Sequence, residues 1–556
     1  MKKRVIIVGG VAGGASTAAR LRRLDEDAEI ILFERGEYIS YANCGLPYYL
    51  GGVINDRDNL LVQTPEGMST RFKIDVRVNS EVLRIFPEEK EIEIQEKDGS
   101  TYREVYDKLV LSPGSMPIRP PILGIDQINA FVVRSVSDID LVKSFLDDKK
   151  PQRAVVIGGG FIGLEVAENL VARNVQTTIV EMSDQLMAPL DFEMAANLHS
   201  YIRSKGVDII LKDGVTGFES AYEHTEVILQ SGKHIATDVV ILAIGVKPEV
   251  KLAKDAGLTI GKLGGIQVNE QLQTSNPDIY AIGDAIEVKH WVTGQAALIP
   301  LAGPANKQGR IVADIIAGRK AEYKGTQGTS IVKIFDLVVA STGANEKLLK
   351  SVGIPYQVSF THSGSSAGYY PGASMMAIKL IFRSDDGKIL GAQIIGSNGV
   401  DKRIDDIAGA IRREDTVYDL TELELAYAPP FSSAKDPINM AGYVASNILD
   451  GDMPVIQWHE LHNLDPKDTL IIDVRMPEEY EDGHIQGTKN IPVDELRDRL
   501  AEIPRDKQII VYCKIGLRGY IAYRILCQHG FNRIKNLSGG WVTYSLAIAE
   551  IQMQSS

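Results

Sequence analysis

Cysteine is scarce. The chain of 556 residues has three, Cys44, Cys513 and Cys527, too few and too dispersed for a secreted disulfide framework, which points to a reducing, cytoplasmic setting. Positive charge is also in deficit. A formal net charge of −13 disfavours nucleic acid and anionic membrane as main partners, although local basic clusters can still hold a phosphorylated ligand. No apolar run is long enough to span a bilayer. The N-terminal Met1-Lys-Lys-Arg-Val-Ile-Ile-Val8 has the outline of a signal peptide, but it also reads as a buried parallel strand entering a glycine turn, which cleavage would destroy. A chain this long exceeds one hydrophobic core, so three or four domains are expected.

The shortage of cysteine matters most at Cys44, in Ser40-Tyr-Ala-Asn-Cys-Gly-Leu-Pro-Tyr48. No second cysteine lies nearby, so a redox role for Cys44 requires a sulfur partner outside the chain, or a cycle through sulfenic acid. An inert buried thiol is the ordinary fate of a lone cysteine. Its position just after a nucleotide-binding pattern argues for function instead.

That pattern occurs twice. Val5-Ile-Ile-Val8 leads into Gly9-Gly-Val-Ala-Gly-Gly14, a helix, and a strand Ile30–Phe33 ending at Glu34. Ala154-Val-Val-Ile157 leads into Gly158-Gly-Gly-Phe-Ile-Gly163, a helix, and a strand ending at Glu181. Such units bind dinucleotides: the glycines permit the turn, pyrophosphate approach and helix packing, and the acidic residue takes a ribose diol. The second unit has the full G-x-G-x-x-G; the first has Val11 at the middle glycine position. Met182 and Ser183 follow Glu181 where an Arg would accommodate a 2′-phosphate, so NADH is expected over NADPH.

Together with Thr274-Ser-Asn-Pro-Asp-Ile-Tyr-Ala-Ile-Gly283-Asp284, this order resembles the two-dinucleotide-domain flavoprotein disulfide reductases. The resemblance implies FAD on the first unit, with Gly9, Gly10, Gly13, Gly14, Glu34, Gly283 and Asp284, and NAD(P) on the second, with Gly158, Gly160, Gly163 and Glu181. The stretch around Cys44 is similar to the single-cysteine branch, which includes coenzyme A-disulfide reductases and NADH oxidases or peroxidases. Those oxidases and peroxidases typically carry His in the first glycine turn, and Ala12 stands there. Arg20 and Arg23 at the end of the first helix, with Ser40, Asn43 and Arg71, resemble the coenzyme A contacts. Tyr369 and Tyr427 resemble the pair supplied by the partner subunit of a homodimer to protonate a leaving thiolate; Tyr370 is the alternative to Tyr369. A Cys44 thiolate would need a helix N-terminus or the flavin to lower its pKa.

Leu470-Ile-Ile-Asp-Val-Arg475, Gly483-His-Ile-Gln-Gly487 and Ile509-Ile-Val-Tyr-Cys-Lys-Ile-Gly-Leu-Arg518 resemble a rhodanese, with Cys513 as persulfide carrier, Arg518 binding its substrate and Cys527 in the core. The expected fold is α/β: two Rossmann-like dinucleotide-binding domains, an α+β dimerisation domain and a C-terminal α/β rhodanese domain. The expected boundaries are 1–115 and 249–329 for the FAD domain, 116–248 for the NAD(P) domain, 330–447 for dimerisation and 448–556 for linker and rhodanese. Thiols, disulfides, persulfides or polysulfides are the implied substrates, with coenzyme A as substrate or bound ligand and no metal. A sulfurtransferase relay, with the flavin half controlling redox state, is the alternative from a different class. A linker after Asn447, if short and flexible, would raise the concentration of one sulfur site near the other, provided the geometry permits contact.

Overall fold

Val5, Ile6, Ile7 and Val8 have little or no exposed surface because their strand, Arg4–Val8, is central in a parallel sheet covered on both faces. In the computed structural model, which describes residues 2–221 and 224–555, this sheet has the strand order Ile279–Ala281, Lys108–Leu111, Arg4–Val8, Glu29–Phe33, Asp75–Arg77. The strand from late in the chain pairs with Lys108–Leu111, Ile279 opposite Leu109, so a long insertion separates two parts of one sheet.

The insertion builds a second parallel sheet, ordered Asp208–Ile210, Gln176–Val180, Arg153–Ile157, Val239–Leu242, Ala130–Val132. The chain leaves and re-enters through Ser115–Pro117 and Val246–Pro248, which pair antiparallel. Two small antiparallel sheets, one of Glu81–Phe86, Glu91–Gln95 and Thr101–Val105 and one of Val215–Ser220, Thr225–Leu229 and His234–Thr237, were not foreseen.

Residues 1–182 and 207–328 form one compact unit; 183–206 and 329–556 form a second. In the second unit, an antiparallel sheet runs Ser330–Ile334, Leu337–Gly343, Ile389–Gly396, Met375–Arg383, Tyr356–Gly364, with Ile378 opposite Ile394. A parallel sheet follows, ordered Val455–Ile456, Ile534–Leu537, Gln508–Tyr512, Thr469–Asp473, Lys489–Asn490. Ile456, Ile485, Ile510, Tyr512 and Leu537 form its core.

Helix Pro437–Leu449 is followed within a few residues by strand Val455–Ile456, already paired with Asn536 and Leu537. Asp450 accepts from the Tyr418 hydroxyl at 2.6 Å, Asp452 from Arg524 at 2.9 Å, and Met453 is buried. Asp450, Asp452 and Met453 are each held in this way. Within the same unit, His362 Nε2 lies 3.2 Å from Thr543 Oγ1, and Gln457 donates to the Val358 carbonyl at 3.1 Å, so the parallel sheet's domain is docked on the antiparallel one.

Candidate functional site

Both glycine turns have the geometry a pyrophosphate needs. Gly9 and Gly158 adopt φ of +98° and +105°, values that favour glycine. A Cβ on Gly14 would lie 1.8 Å from the Gly9 carbonyl oxygen, and one on Gly163 would lie 2.0 Å from that of Gly158, so these glycines let helix and strand touch. A Cβ on Gly160 would meet nothing within 4 Å, leaving room for a ligand. Helices Ala12–Leu24 and Phe161–Ala172 both lack a side-chain N-cap, and their first amides face outward as anion donors.

Glu34 accepts the amides of Gly10 and Gly36, each at 2.9 Å, and Glu181 accepts that of Gly159 at 2.8 Å. Each carboxylate is thus fixed beside its turn. Gly10 and Gly13 serve packing: a Cβ on Gly10 would strike Ile39 and Leu32, and one on Gly13 would strike Ile282 and Ser112. Gly283 has φ +77° and precedes Asp284, which accepts from the Ser115 hydroxyl at 2.9 Å and faces Arg134 at 3.7 Å. These residues fit FAD on the first turn and a pyridine nucleotide on the second.

A cavity of about 350 Å³ opens beside the first helix, lined among others by Arg20, Arg23, Ser40, Gln63, Asn306 and Arg310. Arg20 pairs with Asp314 at 2.8 Å; Arg23 and Arg310 make no ion pair among the described residues. Arg22 has a different job: buried, it donates to the carbonyls of Phe72, Asp25, Glu26 and Lys73. Helix Pro65–Phe72 turns Met68 and Phe72 to the cavity, while Arg71 is exposed and does not line it. Asn306 and Arg310 escaped the sequence reading. They arrive on helix Ala302–Ile316, which crosses the first helix so closely that a Cβ on Gly309 would lie 2.5 Å from the Gly13 carbonyl oxygen.

Cys44 lies in the turn Asn43–Gly45 with its thiol accessible. Asn43 beside it, with its amide turned so that both of its atoms find partners, accepts from Arg134 at 2.5 Å and donates to the Tyr41 carbonyl at 3.2 Å. The flavin is one of the two expected sources of a lowered Cys44 pKa; the protein's own groups act in the other direction. Desolvation raises it, the Glu165 and Asp284 carboxylates add to that, and Arg134 only partly offsets them. The helix that follows, Leu46–Leu50, is a little over one turn long. Glu165, missed in the sequence, accepts from the Tyr48 hydroxyl at 3.3 Å. Burial pushes its carboxyl up to about 7 against the pull of Tyr48, with Glu168 adding to the rise.

In the second unit, Tyr369 and Tyr427 are exposed and their hydroxyls meet at 3.3 Å. Tyr370 is exposed too and makes its amide bond to the Ala367 carbonyl. Cys513 is buried, and its Sγ accepts from the Gly516 amide at 3.1 Å. Arg518 lies beside that sulfur and pairs with Glu479 at 2.6 and 2.8 Å. Cys527 is exposed, contrary to the expected core position. Helix Leu517–Gln528 buries Ala522, Tyr523, Ile525 and Leu526, and Cys527 lies past the edge of that face. Asp191, Glu193 and Glu346 converge, but the Lys379 ammonium bridges all three.

No helix among the described residues is long and apolar enough to cross a membrane. Three family matches tile the chain: pyridine nucleotide-disulphide oxidoreductase at residues 3–309, its dimerisation domain at 329–437, and a rhodanese-like domain at 458–547. The coenzyme A disulfide reductase of Staphylococcus haemolyticus is 35% identical over 448 residues, 80% of this chain and 100% of that protein. The crystal structure of reduced Bacillus anthracis CoADR-RHD matches with TM-score 0.97 and 55% identity over 99% of each chain. That of an NAD-dependent persulfide reductase from A. fulgidus matches with TM-score 0.91 and 38% identity, over 97% of this chain and 100% of the other. The chain therefore belongs to the pyridine nucleotide-disulphide oxidoreductases, flavin- and pyridine nucleotide-dependent enzymes, in the coenzyme A-disulfide reductase type that ends in a rhodanese domain.

Proposed function

We propose that the chain works as a homodimer that uses NADH to reduce sulfur–sulfur bonds of coenzyme A, as its disulfide or persulfide, or of polysulfide, while Cys513 handles sulfane sulfur. The observation that carries this reading is the cavity holding Arg20, Arg23 and Arg310 in a chain that is otherwise acidic. Two of those guanidiniums are unpaired among the described residues, as a site for phosphate groups requires. Ser40 lines the same cavity and is four residues from Cys44 on the chain, so the two backbones are at most about 14 Å apart. A pantetheine arm can cover that distance, with its phosphates on the arginines and its sulfur at Cys44.

The Cys44 thiolate would attack the sulfur–sulfur bond, form a mixed disulfide with coenzyme A and release the other half as a thiolate. FAD, when bound, supplies the two electrons, drawn from the nicotinamide, that return Cys44 to the thiolate. Tyr369 and Tyr427, offered from the partner subunit, would give a proton to the departing coenzyme A sulfur. The chain is similar both to a coenzyme A disulfide reductase and to an NAD-dependent persulfide reductase, which supports keeping both substrate classes. An NADH oxidase or peroxidase is disfavoured by Ala12.

Cys44→Ser tests the reading. The variant should keep its flavin and its reduction by NADH, and lose turnover of coenzyme A disulfide and persulfide by about a thousandfold or more, because serine forms no mixed disulfide. Wild-type turnover in that variant would refute the role of Cys44. Failure of coenzyme A to bind the wild-type chain, measured by calorimetry, would refute the role of the cavity.

A further inference from the structure

Cys513 directly follows the buried strand Gln508–Tyr512. Its carbonyl accepts from the Trp541 amide at 2.8 Å, and its sulfur from the amide of Gly516, whose φ is +114°. The charges around it are arranged unusually for an anion site. Lys514 is exposed and makes no ion pair among the described residues. Arg475 is buried against Asp473 at 2.6 Å. Arg518, in the first turn of the following helix and beside the sulfur, gives both terminal nitrogens to Glu479. The Arg518 hydrogen bond holds the Glu479 carboxyl down at about 2 against desolvation, so this pair stays ionised and mutually neutralised. Two apolar side chains flank it in sequence and are open to solvent: Met476 and Leu517 are 45% and 61% exposed.

Sulfane-sulfur donors differ in what they ask of such a loop. Thiosulfate is a dianion: the Cys513 thiolate forms a bond to its outer sulfur, and the breaking sulfur–sulfur bond sends its electron pair away with sulfite. A persulfide is a monoanion that leaves a thiolate. A free guanidinium binds an oxyanion with two parallel hydrogen bonds. Here Glu479 takes those donors and brings a negative charge to the guanidinium. We propose that Glu479 sets the sulfur-donor preference of Cys513, favouring organic persulfides over thiosulfate. It acts as a positioning residue through Arg518. The inference rests on the reading that Cys513 handles sulfane sulfur.

The test uses the full-length chain and measures thiocyanate formed from cyanide, with thiosulfate or glutathione persulfide as donor and Cys513→Ser as blank. Glu479→Gln should raise the ratio of kcat/KM for thiosulfate to that for persulfide by about tenfold, the scale of one freed charge-assisted contact. The change should fall in the thiosulfate KM. Glu479→Asp, which can keep the ion pair, should stay near the wild-type ratio. An unchanged ratio in Glu479→Gln, or equal losses with both donors, would overturn the proposal and leave sulfur transfer by Cys513 standing. No Cys513-dependent transfer from either donor in the wild type would instead overturn the sulfur-transfer reading, and this inference with it.

Discussion

The hydroxyls of Tyr369 and Tyr427 lie 3.3 Å apart although 58 residues separate them in sequence, and both rings are exposed, 77% and 49%. Two phenols sharing one hydrogen bond present a single acceptor–donor unit to whatever covers them. The Tyr369 hydrogen bond raises the Tyr427 pKa, with desolvation adding to it, so Tyr427 keeps its proton until a stronger base arrives. Tyr369→Phe or Tyr427→Phe should each slow coenzyme A disulfide reduction by about a hundredfold, the lower end of what a general acid contributes, because the other hydroxyl remains. Flavin reduction by NADH should be unaffected, as stopped-flow absorbance would record. Tyr370→Phe should behave as wild type.

Glu181 is held over the second glycine turn by the Gly159 amide at 2.8 Å. A fixed carboxylate accepts from a ribose diol and repels a 2′-phosphate. The kcat/KM for NADH should exceed that for NADPH by about tenfold or more, and Glu181→Gln should narrow the gap by gaining efficiency with NADPH. Steady-state kinetics with both nucleotides would check this, and an equal preference in the wild type would contradict it.

What could be seen in the sequence was what local pattern encodes. Each glycine turn sits between a strand and a helix, and Glu34 and Glu181 stand at the strand ends their spacing requires. The Cys513 loop is likewise contiguous. What could not be seen depends on distant packing. Arg310 and Asn306 reach the cavity only because Gly309 lets one helix close on Gly13 of another. Residue type also fails to distinguish Arg22, bonded to four backbone carbonyls, from Arg20 and Arg23 on the cavity wall. Cys527 looked apolar enough for a core, but its phase on the helix puts it outside.

Glu165 gives Cys44 a pH response. Its carboxyl, raised by burial to about 7, is neutral below that pH and charged above it. Its charge therefore appears as the thiol begins to ionise, and opposes the thiolate. Glu165→Gln removes this repulsion while keeping the side chain's shape. The rate of Cys44 alkylation by iodoacetamide should rise at pH 8, its pH profile shift to lower pH, and the difference from wild type shrink below pH 7. A profile unmoved by the substitution would show that Glu165 exerts no field on the sulfur.

Lys379 has no exposed surface, and its ammonium bonds Glu346 at 2.5 Å, Asp191 at 2.8 Å and Glu193. Each carboxylate has a second partner: Gln393 donates to Asp191 at 2.6 Å, Tyr356 to Glu346 at 2.7 Å, and the Trp458 indole to Glu193 at 3.3 Å. Removing one member of a buried ionic cluster costs about 3–5 kcal/mol, because the remaining charges lose their compensation. Lys379→Met should destabilise the protein by that amount in urea unfolding followed by tryptophan fluorescence. Burial alone would raise the Glu346 pKa; Lys379 outweighs it and holds the carboxyl at about 2. A depressed carboxyl adds stability above its unfolded pKa, near 4.5, and loses it as pH falls toward the folded value. The deficit of Lys379→Met should therefore be greatest at neutral pH and shrink as pH falls below that unfolded value. Adding Glu346→Gln should recover about 1 kcal/mol or more by removing one of the stranded charges. A deficit that stays constant from neutral pH into this acid range would mean that Lys379 contributes by packing alone.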